Sequence, residues 1–172
     1  MKSRWVAWMV LLLIGWTAKG YAQPEKGLHE LMVDASVIDS GGDLGGESVV
    51  DVSIGYGYFL NDMFEIIGNL GLQKTSSSDP SYVIGVGPYL NFKLADYDET
   101  VPYVGITLGT GKLEDNTILM FHAEGGVRIF SAGGGGSINL SPFYQYQSID
   151  VGRGDDLTLT ITGVSVGLSV YF

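Results

Sequence analysis

GVSVGLSVYF, residues 163–172, alternates strictly between apolar side chains (Val164, Val166, Leu168, Val170, Phe172) and small or polar ones (Ser165, Gly167, Ser169, Tyr171). A period of two is the signature of a β-strand with two unlike faces. The run stops on an aromatic side chain, with no polar tail after it. A strand of this kind needs a neighbour on both edges, and the rest of the chain supplies candidates.

Seven further stretches carry the same period: 29–39, 48–59, 63–74, 81–94, 101–112, 117–130 and 137–149, with the eighth at 157–172. Val50, Val52, Ile54, Tyr56 and Tyr58 share a face against Asp51, Ser53, Gly55 and Gly57. Leu119, Phe121, Ala123, Val127 and Ile129 stand against His122, Glu124 and Arg128. The connectors are turn-like, among them SGGDLGGE, Asn61-Asp62 and ADYDET. The reading is all-β, with one domain over 23–172.

Residues 1–22 read differently. Lys2 and Arg4 precede an apolar run from Trp5 to Trp16, and Gly20-Tyr21-Ala22 closes it. These are the parts of a secretory signal peptide cleaved after Ala22. A run of about 12 apolar residues falls short of the roughly 20 that a spanning helix needs. Removal of Lys2, Arg4 and Lys19 takes the nine basic residues to six against nineteen acidic, a net charge of −13. That balance argues against a nucleic-acid partner. The absence of cysteine excludes disulfides and thiolate metal sites.

Eight alternating strands fit two inverse architectures. A soluble lipocalin-like barrel turns its apolar face inward; a transmembrane barrel turns it outward to lipid. Three features favour the membrane. The strands run to 11–16 residues, where a tilted crossing needs roughly 9–11. The polar face is rich in Gly, Ser, Asn and Thr and poor in charge. Tyr and Phe gather near strand ends, as interfacial girdles do.

The ending Ser165-x-Gly167-x-x-Val170-x-Phe172 resembles the C-terminal signal of bacterial outer-membrane barrels, which the assembly machinery reads. GYGYFLNDMFEIIGNLGL, residues 55–72, resembles the second strand, tight turn and third strand of small OmpA/OmpX-like barrel domains. The resemblance implies an eight-stranded antiparallel up-and-down transmembrane β-barrel in the outer membrane of a Gram-negative bacterium. It implies outer-membrane lipid and lipopolysaccharide as surroundings, the barrel-assembly machinery as a partner during biogenesis, and a monomer. An even strand number puts both termini at one end, the periplasmic one, leaving short loops near 40–47, 75–80, 113–116 and 150–156 outside.

Function is less legible. Asp34, Asp51, Glu65, Lys93, His122, Glu124 and Arg128 fall on the lumen side. Charges in a narrow barrel must pair, because an unpaired buried charge is very costly. Lys93 is expected to pair with Glu65 on the next strand, and Glu124 to reach Arg128 along one strand face. The expected outcome is a salt-bridge network that fills the lumen, with a gated narrow pore as the alternative. His122 and Glu124 invite comparison with lipid-modifying barrel hydrolases. Those enzymes carry His and Ser two apart on the lipid face, whereas here position 124 is Glu and His122 points inward. No catalytic, cofactor or metal residues are assigned. The expected role is structural or surface-interacting, with the pore and a soluble lipocalin-like ligand carrier as rivals.

Overall fold

A computed structural model describes residues 25–42, 48–75, 80–93, 99–114, 116–131, 134–150, 152 and 156–172. The signal-peptide expectation lies outside them. Eight strands follow in chain order: β1 (His29–Gly42), β2 (Ser48–Phe59), β3 (Phe64–Thr75), β4 (Ser81–Asn91), β5 (Thr100–Leu113), β6 (Asn116–Phe130), β7 (Gly136–Asp150) and β8 (Asp156–Tyr171). Each pairs antiparallel with its sequence neighbours, and β8 closes on β1, giving a closed barrel.

The closure answers the demand of the alternating C-terminal run. The β1–β8 seam runs from Glu30↔Tyr171 to Gly42↔Leu159, so β8 is paired along most of its length on both edges. His29 and Phe172 exchange backbone hydrogen bonds of 3.0 Å at its end. The turn between β2 and β3 is set by Asn61, whose side-chain oxygen accepts from the amides of Met63 (2.9 Å) and Phe64 (2.8 Å). That is the local geometry for which Asn is favoured in turns.

The facing is inside-out for a water-soluble protein. Leu108 and Leu119 point outward and are 62 % and 61 % exposed, while Glu30, Glu65 and Arg128 point inward and are 0 % exposed. β4 shows the rule without a break: every second residue from Ser81 to Asn91 is buried, and those between are exposed. The outward aliphatic set covers all eight strands. A continuous apolar patch of this size is far beyond what a monomer carries in water. In lipid it is the expected surface, and the closed ladder leaves no backbone edge unpaired.

Strand limits match the period-two reading to within three residues, and β2 matches it at both ends. β1 runs three residues further, to Gly42, and β4 ends three residues early, at Asn91, so that residues 92 and 93 lie outside the strand. Lys93 leaves with them, which bears on the lumen.

Candidate functional site

The lumen is filled at three depths. At the end that carries both strand termini and the tight β2–β3 turn, here the turn end, Arg128 from β6 reaches across the barrel. Its Nη2 lies 3.2 Å from Glu30 Oε2 on β1 and 2.9 Å from Glu65 Oε2 on β3. All three side chains are fully buried. The guanidinium sits over the rings of Tyr103 (4.9 Å) and Phe59 (5.7 Å), a cation–π arrangement that covers charge no water reaches. Tyr171 donates to Glu30 Oε1 at 3.0 Å, and Ser137, Asn139 and Ser169 extend the chain of hydrogen bonds around the wall. Leu28, Phe59, Val101, Phe130 and Tyr171 close this end as an apolar cap.

Gly57 is what lets Glu65 lie flat against β2. A Cβ at that position would fall on the Glu65 carboxylate.

At mid-depth the carboxylate of Glu124 accepts from Tyr89 (2.6 Å) and from Ser141 (2.7 Å), and Ser141 bonds Ser165 at 2.7 Å. Tyr89 reaches from β4 only because Gly105 on β5 has no side chain; a Cβ there would sit inside the Tyr89 ring. Gly105→Ala is therefore expected to displace Tyr89 from Glu124 and to cost about 1–3 kcal/mol. Gly71→Ala, whose new methyl would meet nothing closer than 3.9 Å, serves as the neutral comparison. The urea midpoint of the refolded barrel reads both; an equal midpoint for the two variants would contradict this packing.

Next to this layer lies a cavity of about 70 Å³ whose lining includes Asp34, Asp51, Asn69, His122, Glu124 and Gln145. It has room for a few waters. Beyond it, towards the opposite (loop) end, Gln73 donates to Asp51 at 2.6 Å and accepts from Gln147 across the barrel at 2.7 Å. His122 pairs with Gln145 at 3.2 Å and stacks on Phe143. Val83, Ile118, Met120 and Ile149 pack beside them.

Six of the seven anticipated lumen charges face inward: Asp34, Asp51, Glu65, His122, Glu124 and Arg128. Their partners differ from the expected ones. Lys93 is not in the lumen; it lies past β4 and pairs with Asp62 in the β2–β3 turn at 3.4 Å. Glu65 pairs with Arg128 instead, and Glu124 is held by hydroxyls and not by Arg128. Glu30 joins these inward charges and shares the parity of Met32 and Asp34. The serine on Glu124 is Ser141, while His122 is bonded to Gln145, so the two are not joined as a Ser–His pair. Of the C-terminal motif, Ser165 and Gly167 face inward and Val170 and Phe172 outward. Phe172 stacks on His29 at 5.8 Å.

No family model matches the sequence, and no curated protein matches it. Solved structures do match. The barrel superposes on Neisserial surface protein A with a TM-score of 0.65 at 19% identity, covering 86% of this chain and all of that one. The fold is that of the small eight-stranded outer-membrane β-barrels. The N-terminal barrel domain of Pseudomonas aeruginosa OprF matches at 0.58 and 13% identity, over 87% of this chain and 100% of that one. The outer-membrane enzyme PagL matches at 0.51 and 12%, over 81% and 98%. Barrels of this kind include an enzyme and surface proteins alike, so the small outer-membrane barrel fold fixes the architecture and leaves the role to side chains.

Proposed function

We propose that the chain is an integral outer-membrane protein with a structural or surface-interacting role and no catalytic activity. The observation that carries this reading is the inverted section of the barrel. An aliphatic band faces outward on all eight strands, while Arg128, Glu30 and Glu65 close the lumen at one level and Gln73 and Gln147 bridge it at another. The band suits lipid, and the filled lumen suits a post in the membrane better than a conduit.

In this reading the chain is exported on a signal peptide ending at Ala22. The assembly machinery reads Ser165, Gly167, Val170 and Phe172, and the barrel works as a monomer among outer-membrane lipid and lipopolysaccharide. The turn end is periplasmic, and the opposite end of the barrel faces outward.

Fractionation of expressing cells tests it, with the outer-membrane fraction run on gels unboiled and boiled. A band that shifts with heating is expected in that fraction. A soluble periplasmic protein with no shift would instead support the ligand-carrier reading. Planar bilayers test the pore alternative: no conductance steps are expected from purified barrel, and reproducible steps would replace the structural reading with a gated pore.

A further inference from the structure

The outer surface at the loop end is not uniform. On β3 the outward residues Leu70 and Leu72 are followed by Lys74; on β5, Ile106 and Leu108 are followed by Thr110 and Lys112. Between them, on β4, stands Tyr82, paired with Leu72 on one side and Lys112 on the other. Lys74 lies one residue beyond the Gln73↔Ser81 pair. All three side chains are exposed, and neither lysine is in an ion pair among the described residues.

The far wall carries the opposite sign. There Asp150 and Asp156 form the last pair of β7 and β8, both exposed, and Ser148 donates to Asp156 at 3.1 Å. In a mature chain of net charge −13, two of six cations thus share one facet, across the barrel from two carboxylates.

Depth places the facet. From Phe64 to Lys74 is ten residues of β3. At about 3.3 Å each and a tilt of about 40°, this rises about 25 Å, the height of the apolar band. The two ammonium groups therefore emerge where hydrocarbon gives way to headgroups, with their stems along the band. β3 and β5 are two strands apart and Lys112 is in register with Leu72, two residues short of Lys74, which puts the two backbones about 12 Å apart, a gap that two flexible four-carbon stems can close from either side.

Resting on the outer-membrane reading above, we infer that Lys74, Tyr82 and Lys112 form a docking facet for a phosphomonoester-bearing glycolipid of the outer leaflet. The lysines hold its phosphate, and the Tyr82 ring lies against the sugar or the upper acyl chain. A phosphomonoester carries nearly two negative charges at neutral pH and three acceptor oxygens, enough to engage both ammonium groups. Asp150 and Asp156 repel the same headgroup, so the lipid is held on one wall only.

The test is retention of lipid A by the purified, heat-modifiable barrel after extensive washing in zwitterionic detergent, counted per barrel by native mass spectrometry. The wild type is expected to keep lipid A, and Lys74→Gln/Lys112→Gln to keep at least fivefold less. Lys74→Arg/Lys112→Arg should keep it, and Asp150→Asn/Asp156→Asn should keep as much or more. Enzymatically dephosphorylated lipid A, offered to the wild type in phosphatidylcholine vesicles, should not be retained. Equal retention by the wild type and the double Gln variant overturns the facet, as does retention of the dephosphorylated lipid. A wild type that fails to enter membranes overturns the outer-membrane reading itself, and that is seen at fractionation before any lipid is counted.

Discussion

Arg128→Met is expected to destabilise the barrel by about 3–5 kcal/mol, the cost of removing one partner from a buried ion pair. The change leaves Glu30 and Glu65 facing each other at the turn end, 0 % exposed, with no cation between them. Arg128→Lys should recover only part of the loss. An ammonium group lacks the planar fork that stacks on Tyr103 and Phe59 while meeting two carboxylates. The decisive variant is the triple Arg128→Met/Glu30→Gln/Glu65→Gln. Replacing a whole buried network by neutral groups is often close to neutral, so it should regain most of the stability lost by Arg128→Met. Urea titration of refolded barrel, read by the heat-dependent gel shift, measures all three. Arg128→Met unfolding at the wild-type midpoint would show that the triad contributes nothing to stability.

Val166→Arg has a comparable expected cost, about 2–4 kcal/mol, for a different reason. Val166 stands outward near the middle of β8, paired with Ala35 and Leu140, and is 53 % exposed. An arginine there meets hydrocarbon. Thr162→Arg, four residues nearer the loop end on the same outward face, should cost at most about 1 kcal/mol, since the penalty falls towards the interface. In a water-soluble barrel of the same shape, both arginines would face solvent and neither would cost much. The depth dependence, measured by unfolding in lipid vesicles, therefore separates the two surroundings.

The period of two made the faces legible. Every outward and inward residue named from alternation in β2 and β6 stands on the expected side, whereas Lys93 of the 81–94 stretch does not. The partners inside the lumen were not legible, because alternation assigns a face and not a depth. Depth depends on how the strands stagger around the closed ring, and the bonds that matter join strands that are not neighbours: β6 with β1 and β3, and β3 with β7. The pairing expected for Lys93 assumed adjacent strands and a β4 long enough to carry it. β4 stops two residues earlier, and Lys93 swings to Asp62. Glu30 was legible, since its parity with Met32 and Asp34 puts it inside. Tyr103 and Phe59 were also legible as inward, but nothing in the sequence places their rings on one guanidinium.

The bonds across the lumen also have a mechanical side. A ring of eight strands joined only to its neighbours has a soft mode: it can flatten into an ellipse without breaking a ladder bond. Gln73 and Gln147 sit on β3 and β7, half the circumference apart, and tie that diameter at one height. Arg128 ties β6 to β1 and to β3 at another, which makes a two-armed brace. A tube spanned at one height and braced at a second resists ovalisation under the lateral pressure of a bilayer. The consequence is a stiff post, on which the rims at both ends keep a fixed spacing while the surrounding lipid deforms.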